Sequence, residues 1–291
     1  MTDTAREIAS QPETWARAAT VDGSALTGRG ERTLVLGCGT SWFMAQSLAE
    51  LREAAGFGET DAVCASEFVP RRRYDRVIAL TRSGTSTEVL DALRRLPGSP
   101  HRVAVTAVDG EPVDDLVDER ILLDFADERS VVQTRFPTTL LAVARHAYGE
   151  NLSHLVGDGA AALAAELPAG VRDVGHLVFL GTGWTVGLAH EAALKVREAA
   201  QAWSESYPAM DYRHGPVAVA GPESLVWAFG AVPDSLDDTI RGAGATPVRN
   251  GLDPLAQLVL AQRFAVALAE HKGLDPDRPR LLTRSVILTQ P

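Results

Sequence analysis

Twice in this chain an apolar run of strand length ends in Gly-x-Gly and opens directly into a helical segment. The two passages are Leu36-Gly37-Cys38-Gly39-Thr40-Ser41-Trp42 and Leu180-Gly181-Thr182-Gly183-Trp184-Thr185, offset by 144 residues in a chain of 291. Solenoid repeats have periods of ~20 to 50 residues. An offset of one domain length instead predicts a duplicated domain, and a strand that feeds a helix through a glycine turn is the unit of a helix-covered parallel sheet.

The rest of the chain follows that plan. Strand-length apolar runs are Thr33–Leu36, Val77–Thr81, Val103–Thr106, Ile121–Asp124, His176–Leu180, Leu225–Phe229 and Val286–Leu288. Between them Trp42–Ala54, Ser86–Leu96, Thr138–Tyr148, Leu188–Ser204 and Pro254–His271 repeat apolar residues at spacings of three and four, the helical period. The expected fold class is α/β, with two parallel sheets covered by helices. Residues 1–27 form an N-terminal helical arm, with a short turn and then a helix from Pro12; 28–156 form the first domain and 157–291 the second with its tail. The stretch Gly157–Gly170 is the junction, helical because Ala160–Leu167 is rich in helix formers.

Composition narrows the function classes. Basic side chains number 28 and acidic ones 38, for a net charge of −10, and only Arg71-Arg72-Arg73 approaches a basic cluster. That run reads as a solvated turn, so neither nucleic acid nor a membrane is an expected partner. The two cysteines, Cys38 and Cys64, are too few for a disulfide framework or a four-thiolate zinc site and read as buried free thiols. The chain has no basic leader followed by an apolar stretch and no apolar span of ~18 residues, which predicts a cytoplasmic protein. Twenty-six of the basic residues are arginine; amine chemistry is confined to Lys195 and Lys272.

The densest chemical signal is Thr81-Arg82-Ser83-Gly84-Thr85-Ser86-Thr87, in which five of seven residues are hydroxylic, placed after one strand and before a helix. Free backbone N–H groups at a helix start together with neutral hydroxyl donors suit an anion, and above all a phosphate. A single N-cap would account for one hydroxyl, not five. Thr40 and Ser41 occupy the equivalent turn of the first strand and would converge on the same crevice. A dinucleotide fingerprint is incomplete, because Trp42 and Val186 stand where its third glycine belongs; no His-x-x-x-His pair and no Gly-x-Ser-x-Gly elbow occurs. Neither a cofactor nor a metal is expected.

A second cluster runs Glu191-Ala-Ala-Leu-Lys195-Val-Arg-Glu198 and continues to Arg213-His214-Gly215-Pro216. Glu191, Lys195 and Glu198 share one helix face, and the alanine-rich remainder predicts that the helix is mostly buried. Ionisable groups on a buried helix favour a functional role. With a carboxylate and a phosphate cradle, His214 completes a proton-transfer set: the carboxylate at a carbon beside a carbonyl, the histidine at oxygen.

Taken together, Gly37–Ser41, Thr81–Thr87, Glu191–Glu198 and Arg213–Pro216 resemble the sugar isomerase (SIS) family in its double-domain form, from about residue 5 onward. The resemblance implies two flavodoxin-like domains, each a parallel sheet with helices on both faces, a homodimer with sites completed across the interface, and a sugar phosphate held by Thr40, Ser41, Thr81, Arg82, Ser83 and Ser86, with Val131 as a backbone contact to the sugar. It implies Glu198 as the carboxylate that moves a proton between C1 and C2, Lys195 as its supporting cation and His214, from the neighbouring subunit, as the ring-opening group. Arg82 replaces a glutamine of the pattern and adds a charge that would pair with phosphate. Arg284 replaces a lysine of the tail, and arginine, always protonated, forms no Schiff base but can bind sugar oxygens. The chain begins Met1-Thr2 without a cysteine nucleophile, so a glutaminase domain is not expected. These features predict a phosphosugar aldose-ketose isomerase or an amino-sugar-phosphate deaminase working through an enediol or enolamine. The alternative is a non-catalytic sugar-phosphate sensor, which needs the cradle but has no use for Glu198 and His214.

Overall fold

The computed structural model describes residues 1–170 and 174–288. They fall into two compact units, each built on one parallel sheet.

The first unit comprises Glu13–Ser153 together with the tail from Leu282. Its strands β1 (Thr33–Gly37), β2 (Thr60–Cys64), β3 (Arg76–Leu80), β4 (His101–Thr106) and β5 (Glu119–Leu122) lie in the order β2-β1-β3-β4-β5, all parallel. That is the flavodoxin-like order, in which the chain changes direction of progression between β1 and β3. Its helices are α2 (Gln11–Ala18, mostly in this unit), α3 (Thr40–Ala54), α4 (Thr87–Arg94) and α5 (Arg135–Ala147). The core forms because β1, β3 and β4 are nearly continuous apolar runs covered on both faces, with Leu34, Leu36, Val77, Ala79 and Ala104 packed against Val89, Leu90 and Leu93 of α4. Arg52 of α3 is buried, yet its guanidinium is satisfied by the carbonyls of Thr27, Gly28, Phe57 and Gly58 and by the Thr60 hydroxyl, so it ties the loops at the foot of the sheet.

The second unit comprises Met1–Pro12 and His154–Leu281. The strands β6 (His176–Gly181), β7 (Ser204–Pro208), β8 (Ser224–Ala228) and β9 (Thr246–Val248) are ordered β7-β6-β8-β9, repeating the first four positions of the other sheet. The helices α1 (Asp3–Ala9), α6 (Leu155–Ala164), α7 (Thr185–Ala200), α8 (Asp234–Gly242) and α9 (Pro254–His271) accompany it. Asp277 caps α1 by accepting from the Asp3 and Thr4 amides, and buried Gln11 donates to Gln262 of α9 at 2.6 Å.

Several expectations shift. The N-terminal arm holds a helix before Pro12 as well, because Thr2 caps α1; by contacts the arm divides, with residues up to Pro12 in one unit and those after it in the other. Val286–Leu288 is not a strand: it is irregular chain lying against the start of α4. The junction helix α6 stops at Ala164, short of the expected Leu167, because the chain is already extended at Ala165 (φ −65°, ψ 148°). Cys38 and Cys64 are free but half-buried, and burial, with Cys64 and Glu88 alongside, pushes the Cys38 thiol up to about 12. Among the described residues no helix is long and apolar enough to cross a membrane.

Candidate functional site

The carboxyl edge of the first sheet carries the hydroxyl cluster. After β1 the chain must turn within two residues, and a side chain at Gly37 would bring its Cβ within 2.5 Å of the Ser41 backbone, while Gly39 has φ 54°. Only glycine fits there. The turn sets Thr40 and Ser41, both nearly buried, in the first turn of α3. After β3 the loop Thr81–Ser86 leads to α4, on the other side of the point where the strand order reverses. A crevice at that point, outside the carboxyl ends of the strands, is where open α/β sheets bind ligands. Ser86 occupies the N-cap position of α4 but makes no capping hydrogen bond with its side chain, so its hydroxyl is not explained by the cap.

Arg82 has a different placement from that expected for a phosphate partner. Its side chain is 1% exposed. Nη1 donates to the Ser130 carbonyl at 2.9 Å, Nη2 to the Arg284 carbonyl at 2.7 Å, and Glu128 stands 3.9 Å away as counter-charge. The Glu128 carboxylate in turn accepts from the Thr134 and Arg135 amides at the start of α5. Arg82 therefore fastens two segments to the loop instead of pointing into open space. One of them leads straight into half-buried Val131, the expected backbone contact. Arg284 binds Asp127 through Nη2, at 2.5 and 2.7 Å from the two carboxylate oxygens.

In the second unit, α7 carries the charged face. Glu191 is fully buried, Lys195 is 1% exposed and Glu198 is partly open. The Lys195 ammonium lies 3.3 Å from Glu191 and 2.5 Å from Glu198. Burial disfavours the ammonium, but the two carboxylates outweigh it and hold the pKa above the ordinary lysine value. His214 closes a short 3₁₀ turn, Asp211–His214, and is exposed; Gly215, at φ 146°, reverses the chain before Pro216. The structure brings Lys195 and Glu198 together but not His214. The helix α7 runs back from the carboxyl edge of its sheet, so Glu198, 13 residues along, lies about 20 Å from the start. His214 follows β7, whose five residues span about 16 Å toward the carboxyl edge. Glu198 and His214 of one chain thus sit at opposite ends of the second sheet.

The second glycine turn has no free cradle. Gly181 is as cramped as Gly37, with a Cβ position 2.2 Å from the Thr185 carbonyl, and the Thr185 hydroxyl is consumed by the Thr182 amide and the Phe229 carbonyl. After β8 the loop Phe229-Gly230-Ala231-Val232-Pro233 has no hydroxyl at all. Among the described residues no group of three His, Cys, Asp or Glu side chains gathers to hold a metal ion.

Two flavodoxin-ordered sheets related by an internal repeat, with a hydroxyl loop at the switch point of one, decide the architecture. The chain has a double-SIS fold. A glucosamine-6-phosphate deaminase from Thermotoga maritima superposes with a TM-score of 0.83 over 99% of this chain and 100% of that one, at 24% identity. Tagatose-6-phosphate ketose/aldose isomerase from Escherichia coli gives 0.78 over 100% and 97%, at 21% identity. In sequence the chain is 30% identical over 267 residues to a glutamine–fructose-6-phosphate aminotransferase [isomerizing] of Aeropyrum pernix, covering 72% of this chain and 43% of that protein. The chain spans about half the length of the curated relatives it matches, corresponding to their isomerase half. No family model matches it.

Sequence reasoning on this double-SIS chain missed the roles of Glu128 and Ser285. Glu128 lay in a quoted segment, but only the tertiary structure sets it against Arg82. Ser285 carried no signal, because its partners are two hundred residues away.

Proposed function

We propose that this chain is a phosphosugar isomerase or an amino-sugar-phosphate deaminase/isomerase. The observation that carries the reading is the hydroxyl loop Thr81–Ser86 with Thr40 and Ser41 at the switch point of the first sheet, on a chain that also presents a partly open carboxylate, Glu198, on a buried lysine. The names of the structural and sequence relatives support the same substrate class.

In this mechanism the sugar phosphate is held by Thr40, Ser41, Thr81, Ser83 and Ser86, with the Val131 backbone against the sugar. Arg82 shapes the site from below. His214 opens the ring by giving a proton to the ring oxygen while the anomeric hydroxyl loses one. Glu198 then takes the proton from C2 and returns it to C1, passing through an enediol, or an enolamine when C2 bears nitrogen. In the amine case water adds to the resulting C2 imine and ammonia leaves. Lys195, 2.5 Å away, orients Glu198. Arg284 binds the open-chain sugar's oxygens in place of a Schiff-base lysine. Because Glu198 and His214 of one chain face opposite ends of their sheet, the reading requires a homodimer in which each copy lends His214 to the other.

The test is proton NMR in deuterated water with a panel of hexose and hexosamine 6-phosphates, following the C1 and C2 protons and released ammonia. Exchange without ammonia identifies an isomerase; exchange with ammonia identifies a deaminase. Saturable binding with no exchange for any sugar would overturn the enzyme reading in favour of a sensor.

A further inference from the structure

Of the two lysines in this chain, only Lys195 has a part in the proposed reaction. The other, Lys272, reaches the same helix from a different element. It is the C-cap residue of α9, where Gly273 at φ 68° turns the chain and the Leu274 amide returns to the Ala269 carbonyl at 2.9 Å. A glycine closure of this kind fixes the helix end, and with it the root of the Lys272 side chain. From there the ammonium donates to the Ala200 carbonyl at 2.8 Å and to the Gln201 carbonyl at 3.3 Å. Those carbonyls end α7, just beyond Glu198.

The end of α7 lacks the closure that α9 has. The last carbonyls of a helix have no partner within it, and the common solution is a left-handed glycine followed by an amide that bonds back. In α7 the left-handed position holds Gln201, at φ 48° and ψ 39°, a conformation that strains a residue with a Cβ. Among the described residues neither the Gln201 amide nor the Ala202 amide bonds back to the helix. The Lys272 ammonium stands in for those bonds and sets a positive charge at the negative end of the helix dipole. On the other side of the turn, Arg197 Nη1 donates to the Ser204 carbonyl at 3.0 Å, where β7 begins. The strained turn is thus held from both sides, and Glu198 lies in the last turn of the helix that leads into it.

We propose that Lys272 is a positioning residue for Glu198: by holding the Ala200 and Gln201 carbonyls it keeps the left-handed end of α7 closed and fixes the backbone from which the carboxylate projects. Lys195 orients the carboxylate itself, so one lysine acts on the side chain and the other on the main chain. The inference rests on the reading of Glu198 as the group that moves the proton. A displacement of ~1 Å at a reacting group can lower a rate about 10²-fold. A loosened helix end is therefore felt in turnover more than in substrate binding, which the hydroxyls of the first sheet supply in the proposed mechanism.

The experiment uses the full chain, Lys272→Met and the double variant Lys272→Met/Gln201→Gly, each checked for folding by thermal melts. Proton exchange is measured as kcat and KM with whichever hexose or hexosamine 6-phosphate of the panel the wild type exchanges fastest, and hydrogen–deuterium exchange of the amides of residues 199–204 is followed by mass spectrometry. Lys272→Met should lower kcat about 10-fold, keep KM within about 2-fold of wild type and speed amide exchange in the turn about 10-fold. In the double variant glycine adopts φ 48° without strain, so kcat and amide exchange should both return to within about 3-fold of wild type. Wild-type kcat in Lys272→Met, a loss confined to KM, or a loss of kcat that the glycine leaves uncorrected overturns the positioning role. A wild type that exchanges no sugar proton removes the reading of Glu198 and the catalytic part of the inference with it, while amide exchange still decides whether Lys272 holds the turn. Should Lys272→Met not fold, Lys272→Gln, a neutral donor, takes its place in both measurements.

Discussion

The two sheets begin with the same strand, glycine turn and helix, yet the turns end differently. After β1, glycine brings Thr40 and Ser41 to the edge, and the loop after β3 adds Thr81, Ser83, Thr85 and Ser86. After β6 the hydroxyl of Thr185 folds back onto the Thr182 amide and the Phe229 carbonyl, and the loop after β8 offers alanine, valine and proline. The hydroxyls of the first sheet are met by the distant Ser285, whereas the second turn is closed by its own Thr185 side chain. The second sheet instead supplies ionisable groups, on α7 and on the turn after β7. Duplication yields two similar scaffolds, and a few side chains decide which chemistry each can host.

Substitutions that separate the two halves test this division. The largest effect is expected for Glu198→Gln, which should lower proton exchange by on the order of 10³-fold while sugar-phosphate binding persists; exchange at the wild-type rate in the NMR assay would break the assignment of acid–base work to the second sheet. Lys195→Met leaves the fully buried Glu191 without its cation and should destabilise the fold by about 3–5 kcal/mol, which denaturant titration would reveal as a lower midpoint. A paired comparison of turns follows. Thr185→Ala should cost about 1–2 kcal/mol of stability, because the part-buried Thr182 amide and the buried Phe229 carbonyl lose their partner, with phosphate affinity unchanged. Ser86→Ala should weaken phosphate binding about 5-fold and leave the melting temperature alone; the reverse pattern would mean that the roles of the two turns have been misassigned.

The smallest effect concerns pH. The folded pKa of Lys195 lies above the ordinary lysine value of 10.5, so its contribution to stability is complete below that value and is lost as pH rises through the higher folded one. Melting temperature should therefore decline more steeply above about pH 10.5 in the wild type than in Lys195→Met. Equal slopes would show that the ammonium gains nothing from Glu191 and Glu198.

Much of the fold was legible because central parallel strands are buried on both faces and read as unbroken apolar runs. Thus β1, β3, β4, β6 and β8 were all recognisable, and α9 matched its expected span, Pro254–His271. The strands β2, β7 and β9 were not. They lie at sheet edges or are short, with compositions such as Ser-Glu-Ser-Tyr-Pro, and an edge strand with one neighbour needs no apolar run and tolerates proline. Val286–Leu288 misled for the opposite reason: three apolar residues in a row resemble a strand, but here their backbone pairs with Thr87.

By itself, the sequence determined the duplicated α/β plan, the hydroxyl loop after β3 and the buried charged face of α7. Each is written in short-range order: periodicity, turn glycines, and spacings of three and four. Only the tertiary structure decided that Arg82 turns inward to hold the Ser130 and Arg284 carbonyls, that Ser285 closes a hydroxyl ring with Ser83 and Thr85, and that Glu198 and His214 lie at opposite ends of one sheet. Those facts depend on contacts between distant residues or on the direction in which elements cross a sheet. A local pattern carries no trace of which buried carbonyl an arginine will find.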